Sequence, residues 1–169
     1  PMGTLSFDEA YDIFAEQVRA AVAAECDIIL IETMADLREA KAALLATREN
    51  STLPVFVTMT FGEDSRTFLG TTPVIAAEVL SSLGAQAVGF NCSLGPAELT
   101  GAARAMASRV RCPLMAQPNA GLPHMENGET VFDVGPEEFA RAMAPLLDAG
   151  ASIVGGCCGT SPRSIELLS

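Results

Sequence analysis

Asp27-Ile28-Ile29-Leu30-Ile31-Glu32 sets four consecutive aliphatic side chains between two carboxylates. A strand with one wet face alternates apolar and polar residues, whereas an unbroken run of this kind marks a parallel strand covered on both faces. Glu32 then stands just past the strand's end. Upstream, Ser6 and Glu9 have the spacing of a capping box, and Phe7, Tyr11, Phe14, Val18 and Ala21 recur at helical intervals, so a helix is expected from about Phe7 to Ala24. Downstream the unit repeats. Strands are expected to start near Val55, Ala87, Pro113 and Ser152, separated by helices whose first turns are marked by Asp36 with Glu39, Thr72-Pro73, Gly95-Pro96 and Gly135-Pro136. Gly84 and Gly150 close two of these helices, Pro145 should kink or shorten the last full one, and Ser161-Pro162 opens a sixth.

Five such units build either an open doubly wound sheet or part of a barrel. No strand is followed by the glycine-rich dinucleotide fingerprint of the former, so the expected fold is α/β, a (β/α)8 TIM barrel. A complete barrel takes about 250 residues. With 169 residues and five strands, the chain is expected to be one domain, residues 1–169, forming the C-terminal part of such a barrel. The missing strands would come from the rest of a longer chain or from a partner chain.

Composition agrees with a well-buried sheet, since 49% of residues are hydrophobic and 18% charged. Ten basic against 21 acidic residues give a net charge of −11, which disfavours nucleic acid or an anionic membrane surface as partner. No apolar run reaches the roughly 18 residues of a membrane span, and no targeting signal is visible. Five cysteines, an odd number, fit a reducing compartment. These features together point to the cytoplasm.

Two stretches stand apart from the core pattern: Gly89-Phe90-Asn91-Cys92 at the end of the third strand, and Gly155-Gly156-Cys157-Cys158-Gly159-Thr160 at the end of the fifth. Parallel α/β folds place their active sites at the carboxyl ends of strands, so three thiols share one rim. Three cysteines without a fourth suit a catalytic zinc, which keeps one position open, and soft thiolates select zinc over magnesium or calcium. On spacing alone the three are read equally well as small buried residues.

GFNC and GGCCGT, together with IETMAD around Glu32 and QPNAGLP from Gln117 to Pro123, resemble the homocysteine-binding, zinc-dependent S-methyltransferase family. The resemblance is strongest to its cobalamin-dependent methionine synthase branch and runs through essentially the whole chain. It implies that Cys92, Cys157 and Cys158 hold Zn2+, that the fourth position receives the sulfur of homocysteine, and that methyl transfer gives methionine. It implies methylcobalamin as donor, supplied by a corrinoid-bearing domain or protein, with betaine or S-methylmethionine as alternatives. It also implies that the Asn119 amide oxygen fills the open position when substrate is absent, although a turn asparagine between Pro118 and Gly121 reads equally well. Glu32 matches a residue that binds the substrate's ammonium group; read by itself, it is a solvated loop residue or a helix N-terminal charge. The family's opening strands and their Asp-Gly-Ala-type motif have no counterpart here.

Two rival functions are a zinc-binding module without catalysis and a thiol-redox protein using the vicinal pair, the latter disfavoured because adjacent cysteines form only a strained disulfide. His124, the only histidine, reads as a loop residue between prolines, and Cys26 and Cys112 read as small core or loop residues. Glu63-Asp64-Ser65-Arg66-Thr67 reads as a solvated loop at the reactive rim.

Overall fold

The computed structural model describes residues 3–169. Helix α1 (Phe7–Ala23) precedes β1 (Ile29–Met34), followed by α2 (Leu37–Asn50), β2 (Val55–Met59), α3 (Pro73–Ser82), β3 (Ala87–Asn91), α4 (Pro96–Ala107) and β4 (Leu114–Gln117). A hairpin, β5 (Pro123–Glu126) and β6 (Glu129–Phe132), comes next, then α5 (Pro136–Ala142), α6 (Ala144–Asp148), β7 (Ala151–Val154) and α7 (Pro162–Glu166). The local signals behave as their chemistry dictates. Ser6 and Glu9 form the reciprocal capping box, the Asp36 carboxylate caps α2 at the Arg38 N–H, and Pro145 divides the last helical stretch into α5 and α6. Gly84 and Gly150 terminate their helices at φ +94° and +108°, a conformation that costs a residue without Cβ nothing.

The main sheet is five-stranded and parallel, in the order β1-β2-β3-β4-β7. A doubly wound sheet reverses its strand order at a switch point; here every crossover steps the same way. Because such crossovers are right-handed, their helices are carried to one face. That face holds the core: Ile31, Val57, Phe90 and Ala116 of the strands pack against Leu44, Leu80, Met106 and Phe139 of the helices.

Among the described residues, no second layer of helices or strands covers the opposite face. Strand register places Leu30 beside Phe56 and Met115 beside Ile153 on it; Leu30 is 37% exposed, whereas Met115 is buried. The two-sided cover expected from the apolar run at Ile28 is not found among the described residues: only the helix side of β1 is packed, with Ile31 buried and Leu30 exposed. β1 also runs past the end assigned to it from sequence, through Glu32 to Met34, with a register break between Ile31 and Met34. The hairpin corrects another expectation, since His124 lies on β5 rather than in a loop. Asn127 and Gly128, at φ +51° and +85°, make the primed turn that matches strand twist. Among the described residues, no helix is long and apolar enough to cross a membrane.

Candidate metal centre

The thiol site is built by one backbone rail, residues 117–120, running between two cysteine-bearing loops. On one side β3 ends at Asn91, and the next two residues, Cys92 and Ser93, take φ +63° and +65°. Each such non-glycine residue costs about 1–3 kcal/mol unless its surroundings hold it. The Cys92 N–H donates to the Gln117 carbonyl at 3.0 Å and the Asn119 N–H to the Leu94 carbonyl at 2.9 Å, which fixes this turn against the rail. On the other side the Gly155 N–H donates to the Ala116 carbonyl and the Cys157 N–H to that of Pro118, at 3.0 and 2.9 Å. The Cys158 N–H donates to the Asn119 side-chain oxygen at 3.0 Å, and the Ala120 N–H returns a bond to the Cys158 carbonyl at 2.9 Å.

The outcome is a cluster of three sulfurs. Cys92 and Cys158 Sγ are 3.7 Å apart, Cys157 and Cys158 Sγ 3.9 Å, and all three lie within 4.8 Å of one another. Tetrahedral zinc with bonds of about 2.3 Å spaces its sulfurs about 3.8 Å apart, so the cluster has the dimensions of three corners of such a site. Cys92 and Cys157 are half-buried and Cys158 exposed, which leaves the cluster open to solvent on one side. Desolvation, and after it the hydrogen bond and charge repulsion shared with Cys92, pushes the Cys157 thiol above its ordinary value. Desolvation, the Cys92 hydrogen bond and repulsion from Cys157 push Cys158 up to about 11. Three thiolates do not tolerate one another here without a cation.

Asn91 is the residue that sequence reasoning passed over. It is 1% exposed, and its Oδ1 accepts from the Thr33 N–H at 2.9 Å and the Thr58 hydroxyl at 2.7 Å. Its Nδ2 donates to Thr33 Oγ1 at 2.6 Å and toward Cys157 Sγ at 3.9 Å. Thr33 sits at φ +59° within the register break of β1, a genuine outlier for a β-branched residue, and the Asn91 amide grips it on two atoms. Glu32 is the exposed residue just before it, so the carboxylate singled out from sequence rides on a bulge, the usual device for re-aiming a side chain beside a site. Asn119 holds the Cys158 backbone through the oxygen that the sequence reading assigned to the open position.

The remaining candidates fall elsewhere. His124 Nδ1 lies 3.4 Å from Asp133 in the hairpin. Cys26 is exposed after α1, and Cys112 is half-buried before β4, at the strand end opposite the thiol cluster. In the 63–67 loop the exposed charges turn on themselves, Asp64 accepting from the Arg66 N–H, and only Thr67 is buried. A cleft of about 540 Å3, lined by Leu5, Phe7, Arg38 and Phe68 among others, shares no residue with the sulfurs. The sulfurs stand at a rim, with Cys158 exposed to solvent.

The sequence profile of the family described as homocysteine S-methyltransferase matches residues 1–169. The chain belongs to the homocysteine S-methyltransferase family. A relative in this family, the methionine synthase of Mycobacterium leprae, is 34% identical over 171 residues, a match covering 98% of this chain and 14% of the relative. The chain thus spans about a seventh of the length of the curated relatives it matches. Among solved structures it is similar to the homocysteine methyltransferase MmuM from Escherichia coli in its apo form, with a TM-score of 0.80 at 22% identity, over 99% of this chain and 59% of that one. The metallated form of the same enzyme gives 0.80 over 98% of this chain and 52% of that one. At that identity the likeness is one of fold, and it matches the parallel sheet described above.

Proposed function

We propose that this chain is the zinc- and homocysteine-binding part of a homocysteine S-methyltransferase of the methionine synthase kind, acting in the cytoplasm. The observation that carries the reading is the meeting of Cys92, Cys157 and Cys158 at one rim with sulfur spacings of 3.7 and 3.9 Å. These three residues would hold the metal and leave one tetrahedral position open toward solvent. When bound, zinc would supply a Lewis acid that lets an incoming thiol ionise near neutral pH. The chain's own part is positional. The 117–120 rail sets the sulfur spacing, Asn119 keeps the vicinal pair in place, and Glu32 offers a carboxylate to the ammonium group of homocysteine. Whether Asn119 also enters the open position depends on breaking its bond to Cys158.

The methyl donor in this reading is methylcobalamin, carried by a corrinoid-bearing domain or protein, a choice supported by the 34% identity to methionine synthases. We further read the sheet as the C-terminal part of a (β/α)8 barrel whose other strands come from the rest of a longer chain or from a partner chain. Its unreversed strand order and uncovered inner face support this. Metal analysis should find one zinc per chain, and Cys157→Ser should abolish it. A metal-free protein with all five thiols freely titratable would refute the reading. Homocysteine consumption assayed with methylcobalamin, betaine and S-methylmethionine in turn, with the missing strands present, distinguishes the donors.

A further inference from the structure

We propose that Asn91 is a positioning residue that fixes the substrate's ammonium anchor relative to the metal-binding sulfurs, so that it governs affinity for homocysteine as an amino acid rather than as a thiol. The proposal rests on the zinc and homocysteine reading above and deepens it. The Thr33 N–H that Asn91 holds belongs to the peptide joining Glu32 to Thr33, and the same amide faces Cys157 Sγ through its nitrogen. One planar group, 1% exposed, therefore touches the backbone that carries Glu32 and the sulfur that binds the ion.

Its orientation is not free. Oδ1 takes two donors, from Thr33 and Thr58, and Nδ2 is thereby turned toward Thr33 Oγ1 and the sulfur. Reversing the amide would set Nδ2 against the Thr33 N–H, donor against donor. Thr33 at φ +59° has no local reason to stay there once this grip is lost. The peptide would then relax toward ordinary strand geometry and swing the Glu32 side chain away, since side chains alternate faces along a strand. The backbones of the three cysteines, held by the rail, would stay in place, with Cys157 Sγ losing only its long contact to the amide.

The test uses the zinc-loaded protein with the missing strands present and two probes, homocysteine and 2-mercaptoethanol, which has the thiol but no ammonium group. With zinc in excess, Asn91→Ser should retain one zinc per chain, bind homocysteine about tenfold or more weakly, as expected for losing one hydrogen bond to a charged group, and bind 2-mercaptoethanol as the parent does. Adding Thr33→Gly to Asn91→Ser should restore much of the homocysteine affinity, because glycine adopts positive φ without a clamp. If Asn91→Ser does not fold, Thr33→Val at an exposed position removes half of the grip while keeping the β-branch, and it should show the same selective loss in smaller measure. Equal weakening of both thiols, undiminished homocysteine binding, or no recovery with glycine would overturn the role of Asn91. A parent chain that takes up neither zinc nor thiol would overturn the functional reading and this proposal with it.

Discussion

The Cys158 thiol, pushed up to about 11 by desolvation and its two sulfur neighbours, makes pH a direct probe of the site at the scale of single residues. Its folded value lies above the unfolded reference of 9.0, so between those two values the unfolded chain releases protons that the folded chain retains. Without metal, stability should therefore be full below about pH 9 and fall as pH climbs toward 11, and the thermal midpoint against pH reads this out. Zinc, bound as proposed, would displace the same protons. Its apparent affinity should rise with pH by about tenfold per unit for each thiol still protonated, measurable by competition with a chelator. Gly159 sits at φ +78° with the Phe132 ring where a Cβ would go. Gly159→Ala should cost about 1–3 kcal/mol and loosen zinc, because it shifts the loop that carries the vicinal cysteines. That the three cysteines meet was legible from sequence, since each stands where a parallel strand ends and those ends share one rim. Asn91 was not, because its partner Thr33 is 58 residues away and only strand order makes them neighbours.

Single elements obey rules that operate within a few residues, and most were readable for that reason. The capping box of α1 is an example: Ser6→Ala removes a bond to the Glu9 N–H and should cost about 1 kcal/mol, a drop of about 2–4 °C in Tm for a chain of this length. α1 is tied to α2 by the Tyr11 hydroxyl donating to Glu49 at 2.6 Å and by Arg19 donating to Asn50 at 3.0 Å, so fraying at Ser6 should propagate to the entry of β1. Strand starts near Val55 and Ala87 match the structure because buried parallel strands are bounded by abrupt changes in polarity. The hairpin escaped although Asn127-Gly128 is a strong turn signal. Its flanks are exposed along β5 and largely so along β6, so no burial pattern marks them as strands. β1 was cut short for the opposite reason, since Glu32 and Thr33 look like a strand end until Asn91 extends the backbone past them.

At the scale of the molecule, the sheet face opposite the helices and the outer edges of β1 and β7, unpartnered among the described residues, should govern behaviour in solution. Unpaired edge groups and exposed Leu30 beside Phe56 offer a template for another chain. Sedimentation should show concentration-dependent association of the isolated chain, relieved when the strands proposed to complete the barrel are supplied; a monomer at every concentration would count against that completion. The net charge of −11 opposes such association through mutual repulsion, so raising ionic strength should promote it.

Sequence by itself determined where helices and parallel strands lie, and which side chains are able to bind a soft metal, because periodicity, capping and ligand chemistry act over short stretches of chain. Tertiary structure alone decided the rest: the carbonyl rail that spaces the sulfurs, the bulge that carries Glu32, and the amide that joins the two. Those depend on which strands lie side by side, and hydrogen bonds between residues dozens of positions apart leave no local pattern to read.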